Sequence, residues 1–160
     1  MAALHIRPAT ADDAGLILRF IRELAIYEKA EFSVQTDEAG IRASLFGAGA
    51  KAQALVCERD GQAIGYAVYF HNYSTWLGRN GLYLEDLYIS PEHRGCGAGK
   101  ALLQHIAQLA VAQGCGRFEW SVLDWNTPAI DFYTAAGAKP QDEWTVYRLE
   151  GDALRKFAEG

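Results

Sequence analysis

The stretch LYLEDLYISPEHRGCGAGKALL, Leu82–Leu103, decides how the chain is read. It begins with Leu, Tyr and Ile around a single charged pair, Glu85 and Asp86, which is strand composition. Gly95, Gly97 and Gly99 then break the pattern. After them Leu102, Ile106, Leu109 and Gln113 fall on one face of a helix expected from about Ala98 to Gln113, with Gly114 as its terminator. Glycines let a ligand come close to the backbone, and the first amides of a helix point at whatever sits there. That arrangement favours phosphate oxygens. Arg94 and Lys100 add positive charge at the rim.

Upstream, Leu4 and Ile6 before Pro8 suggest a short first strand. Thr10, Asp12 and Asp13 suit a helix start, and Leu16, Phe20, Leu24 and Tyr27 mark one stripe of that helix. A shorter helix opens at Thr36 and ends at Gly47 and Gly49. Residues 54–58 and 63–73 read as strands joined by a hairpin turn over Arg59-Asp60-Gly61-Gln62. Downstream, residues 118–123 read as a strand, 127–136 as a helix and 145–149 as a last strand. The pattern predicts one α+β domain over residues 1–160, with a mixed, mostly antiparallel sheet flanked by helices.

With 160 residues, half of them apolar and 22% charged, the chain is the size of one ordinary domain. No apolar run approaches the ~20 residues of a membrane span. The start MAALHIRPAT carries no signal region, so a cytoplasmic protein is expected. Three cysteines (Cys57, Cys96, Cys115) without a C-x-x-C pair, and four scattered histidines, give no disulfide framework and no metal site. A net charge of −5 disfavours nucleic acid and anionic membranes as partners and suits a cationic substrate.

Three phosphate-loop patterns compete for Arg94–Lys100. The nucleotide pattern G-x-x-x-x-G-K-[ST] fails, because Arg94 stands at its first glycine and Ala101 at its hydroxyl position. The dinucleotide pattern G-x-G-x-x-G fails because its third glycine comes one residue early, at Gly99. The pattern [Q/R]-x-x-G-x-[G/A] fits Arg94, Gly97 and Gly99 and resembles the pyrophosphate loop of the GNAT N-acetyltransferases. IRPAT, LILRFIRELAIYEK, YLEDLYISPEHRGCGAGK, VLDWNTPAIDFYTAAGA and EGDALRKFA together resemble the diamine (spermidine/spermine) acetyltransferase family over nearly the whole length. YSTWLGR, VLDWN and the tail look closer to its thialysine N-acetyltransferase branch.

That resemblance implies the GNAT acyl-CoA N-acyltransferase fold, acetyl-CoA as cosubstrate without a metal, a small cationic amine as acceptor, and a homodimer. It places acetyl-CoA on the backbone of Leu87, Tyr88 and Ile89. The loop Arg94, Gly95, Cys96, Gly97, Ala98, Gly99 and Lys100 takes its phosphates, and Asn126 and Tyr133 complete the site. Cys96 is expected to point outward without a chemical role. Tyr133 is the expected acid for the leaving thiolate, and Glu85 the residue that activates the amine through water. Tyr27, Glu28, Trp76, Glu85, Asp86 and, more weakly, Glu119 and Glu143 are the acceptor residues.

Without the resemblance these residues read differently. Tyr133 is then a packed helix tyrosine, Glu28 a surface acid beside Lys29, and Trp76 a strand-end aromatic. Glu85 and Asp86 are adjacent in a strand and should face opposite sides, so at most one would enter the reaction cleft. Two departures separate the chain from the polyamine branch: Ser74 replaces an acid, and Glu119 lies near a histidine position. Both favour thialysine, lysine-like amino acids or diamines over long polyamines. The rival readings are a protein N-acetyltransferase and a non-catalytic acyl-CoA sensor.

Overall fold

The computed structural model describes residues 3–160, so Met1 and Ala2 of the expected single domain lie outside the described residues. The elements are β1 (Leu4–Pro8), α1 (Ala14–Tyr27), α2 (Glu38–Phe46), β2 (Ala52–Arg59), β3 (Gln62–Ser74) and β4 (Arg79–Ile89), then α3 (Ala98–Ala112), β5 (Phe118–Trp120), α4 (Thr127–Ala135) and α5 (Gly151–Glu159). The chain divides into two compact units, one ending at Ser121 and one from Val122 to Gly160.

The first unit holds a five-stranded sheet in the order β1-β2-β3-β4-β5. Its first four strands are antiparallel neighbours, and β5 runs parallel to β4. The Asp60-Gly61 turn forms as the sequence requires: both residues have positive φ, 52° and 78°, which closes a two-residue hairpin without splaying the strands. α1 and α2 cover one face, where Ala14, Ile17, Phe20, Leu24 and Ile41 pack on Ala54, Tyr66, Val68 and Tyr88. Alternation sends Leu55, Cys57 and Ala67, also buried, to the opposite face. α3 contacts β1, β3 and β4 and buries Leu102 and Ile106 completely. Among the described residues no helix is long and apolar enough to cross a membrane.

Two features place the site. The register of β3 against β4 pairs Val68 with Asp86 and Tyr69 with Leu84, leaving Glu85 as the extra residue of a β-bulge. And β5 pairs only with Leu82–Leu84, so among the described residues no strand covers that edge of β4 from the bulge to Ile89. The two strands part there.

The second unit consists of α4, an extended connection and α5. The strand expected at Thr145–Leu149 does not form. A strand persists only where a neighbour takes its backbone groups and one of its faces is buried. No described strand pairs with this segment, and Val146 and Tyr147 are 83% and 92% exposed.

Candidate active site

β4 carries the site from its bulge to the loop beyond it. Two features set the conformation of that loop. Ser90 donates its backbone N–H to the Ile64 carbonyl at 2.8 Å, fixing the strand end. Gly95 and Gly97 then take φ of 83° and 85°, left-handed values that a side chain would strain. A Cβ at either would meet nothing within 4 Å. Gly97 is the N-cap of α3, and the amides of Ala98, Gly99 and Lys100 follow as its first turn, where backbone donors lack helical acceptors. Open space in front of a row of amides is the cradle a pyrophosphate needs.

Arg94 and Cys96 behave differently from their sequence-based expectation. The Arg94 Nε donates to the Ile89 carbonyl at 3.0 Å, and its guanidinium lies 5.1 Å from the Tyr27 ring centroid and 5.6 Å from that of Tyr88. Arg94 therefore ties the loop to β4 and to the end of α1, as well as charging the loop. Cys96 does not point outward: it is half-buried, and its thiol donates to the His93 carbonyl at 3.0 Å. The Tyr88 phenol donates to Glu23 Oε1 at 3.0 Å, and burial followed by that bond pushes its pKa up to about 12. Glu23 also accepts from Ser90 Oγ at 3.4 Å and pairs with Arg19 at 3.3 Å.

The carboxylates gather at the bulge. Glu28 caps the C-terminal end of α1. Its pKa is raised first by burial, then by the charge of Asp86, then by that of Glu85. The expectation that Glu85 and Asp86 oppose each other assumed an unbroken pleat, and the extra residue at Glu85 breaks it. Asp86 is half-buried and raised by burial, a shift opposed by a hydrogen bond from Tyr66. That bond runs from the Tyr66 phenol to Asp86 Oδ2 at 2.5 Å.

Tyr27, Glu28, Glu85, Asp86, Tyr88 and Arg94 thus come together in the first unit. Trp76 does not join them: it sits 79% exposed in the turn before Arg79, seven residues along β4 from Asp86, about 23 Å at strand rise. Ser74 organises that turn, accepting from the Leu77 amide at 3.2 Å. Glu119, on β5, accepts from Asn72 Nδ2 at 3.3 Å, a bond that ties β5 to β3 across Gly81. In the second unit, Asn126 is buried at the N-cap of α4, accepting from the Ile130 amide at 3.0 Å. Tyr133 lies half-buried on the same helix, and Glu143 is exposed in the connection after it. Tyr66 and Glu23 escaped the sequence reading. The available signal was a tyrosine in a strand of apolar residues, whose hydroxyl must find a partner once buried.

A sheet that opens after its fourth strand, with a glycine-headed helix at the opening, is the arrangement of an acyltransferase. The Acetyltransferase (GNAT) family model matches residues 19–138, and the chain belongs to that family. It is an N-acetyltransferase. It is 42% identical to a thialysine N-epsilon-acetyltransferase of Sus scrofa, over 99% of both chains. It is 45% identical to an L-ornithine N5-acetyltransferase of Arabidopsis thaliana over 57% of this chain and 40% of that one. A solved integron cassette protein of V. cholerae superposes with a TM-score of 0.82 at 25% identity, covering 98% of each chain.

Proposed function

We propose that the enzyme moves the acetyl group of acetyl-CoA onto a primary amine of a small cationic acceptor, of the lysine-like amino-acid or diamine class, with thialysine as the type. The observation that carries the reading is the convergence of the Glu28, Glu85 and Asp86 carboxyl groups beside the uncovered half of β4. A cation beside several carboxylates, of which Glu28 and Asp86 are half-buried and Glu85 is exposed, is attracted more strongly than in bulk water, and an anionic acceptor is repelled. The names of the thialysine and ornithine relatives point to the same chemistry.

Acetyl-CoA supplies an activated thioester, and the protein's part is to place it and to manage two protons. The backbone of Leu87–Ile89 lines the thioester arm, and the amides of Gly97–Lys100 take the pyrophosphate. The amine attacks only when neutral, and with an ammonium pKa near 10.4 about one molecule in ~2,500 is neutral at pH 7, a cost of roughly 4.6 kcal/mol. Glu85, at the bulge, takes that proton through water. Tyr133 returns one to the departing thiolate, whose reference pKa is about 8.5. Asn126 holds the arm from the start of α4. Three free cysteines suit a reducing compartment, and the reading puts the enzyme in the cytoplasm as a homodimer.

A panel of amines with acetyl-CoA, followed by thiol release, tests this reading. Thialysine should give the highest kcat/KM, lysine and ornithine intermediate values, and spermine a lower one, because Ser74 stands where an acid would anchor a distant second ammonium. Spermine as the best acceptor would overturn the acceptor class. Acetyl-CoA binding without turnover on any amine would turn the protein into a sensor.

A further inference from the structure

The tyrosine behind the carboxylate cluster has a role the acceptor residues alone do not explain. Tyr66 is completely buried at the centre of β3, its ring stacked on Phe20 at 5.6 Å with planes 12° apart. A phenylalanine would fill that core position equally well. The hydroxyl instead leaves the core and meets Asp86 Oδ2 at 2.5 Å. Burial and the neighbouring carboxylates keep the phenol protonated, so it acts only as a donor. Around this pair stand the carboxyl groups of Glu28, from the end of α1, and of Glu85, on β4 itself.

A half-buried carboxylate among like charges would ordinarily take up a proton or rotate away. We propose that Tyr66 is a positioning and specificity-determining residue for the amine acceptor, fixing Asp86 as an oriented, ionised carboxylate that awaits the acceptor's ammonium. This rests on the acceptor cleft proposed above. Two consequences follow from the chemistry. The stacked ring makes the donor rigid, so Asp86 Oδ2 is held in place and the carboxylate cannot swing freely. The acceptor's positive charge also completes the cluster, so a neutral analogue of the same shape gains nothing from it.

Calorimetry of thialysine binding to the full-length enzyme, from pH 5 to 8, tests the proposal with wild type, Tyr66→Phe, Asp86→Asn and the double variant. Tyr66→Phe keeps the ring and its stack. It should weaken thialysine about tenfold, the size of one hydrogen bond to a charged group, and move the acid limb of binding to higher pH. Acetyl-CoA affinity should stay within twofold. In the Asp86→Asn background Tyr66→Phe should change nothing further, because the carboxylate that Tyr66 orients is gone. Equal losses for Tyr66→Phe in both backgrounds, or an acid limb that stays in place, would overturn the role of Tyr66. Wild type that binds no thialysine, or Asp86→Asn that binds it normally, overturns the acceptor cleft itself. Should Tyr66→Phe not fold, 3-fluorotyrosine at position 66, a more acidic phenol and stronger donor, must move the limb to lower pH; a limb left unmoved overturns the proposal.

Discussion

Gly99 is where the phosphate cradle can be tested without disturbing the chain's own packing. Gly95 and Gly97 sit at positive φ, so any side chain there strains the backbone as well as blocking a ligand. Gly99 is helical, and a Cβ on it would meet only Ile89 Cγ1, at a comfortable 3.9 Å. Gly99→Val should therefore fold like wild type and lose well over tenfold in acetyl-CoA affinity, since its branches fill the space in front of the amides. Calorimetry that finds unchanged affinity in the folded variant sinks the assignment. Tyr133 asks a different question. Tyr133→Phe removes only a hydroxyl from a half-buried ring, so it should lower kcat by about 10²–10⁴ and leave acetyl-CoA affinity nearly intact. Wild-type kcat in that variant would remove Tyr133 from the chemistry.

The start of α1 shows how one element is anchored from sequence upward. Thr10 is the N-cap, as expected, and Asp13 closes a capping box with it by accepting from the Thr10 amide at 2.8 Å. Asp13 also takes two hydrogen bonds from Arg7 of β1, at 2.8 and 2.9 Å. The Arg7 bond holds its carboxyl below the usual range, with burial opposing. A depressed carboxyl stabilises the fold above its unfolded pKa of about 3.9 and loses that contribution as pH falls through the folded value. Asp13→Asn should thus cost about 2 kcal/mol at pH 7. The gap from wild type in urea denaturation should begin to narrow below about pH 4 and go on closing as pH falls through the depressed folded value; a gap independent of pH would mean that packing, not charge, is what the variant lost. The same scale shows what sequence patterns can carry. The Asp60-Gly61 turn and the glycine-to-helix step before α3 were legible because local residue chemistry alone dictates them. The bulge at Glu85 was not, since it depends on the register between two strands, and it overturned the pleat rule for Glu85 and Asp86. Tyr66 was hidden for a related reason: its ring belongs to the core pattern while its hydroxyl belongs to the site. Trp76 and Glu119 took their places from resemblance. The fold instead sends Trp76 to a distant turn and uses Glu119 to tie β5 to β3.

At the scale of the molecule, what demands explanation is apolar surface left in water. Trp144, Val146 and Tyr147 are 69%, 83% and 92% exposed in an extended run, and Phe157 on α5 is 76% exposed. Single exposed apolar residues are ordinary, but a contiguous run of large ones marks a surface that another protein surface covers. A second copy of the chain is the occupant that the proposed homodimer supplies. It also offers a route for Trp76, remote from Asp86 within one chain, to reach an acceptor cleft across the interface. Light scattering at micromolar protein should therefore report twice the mass of the 160-residue chain. Replacing Val146 and Tyr147 together by lysine should return the monomer, because burying two ammonium groups costs several kcal/mol where two apolar side chains had gained. That variant should keep its far-ultraviolet circular dichroism, since both residues lie outside the helices and the sheet. It should also lose acceptor turnover more than acetyl-CoA binding, since the loop and β4 belong to a single chain. A wild-type protein that is monomeric at these concentrations, and fully active, would leave the exposed run without this partner and Trp76 without a place in the acceptor site.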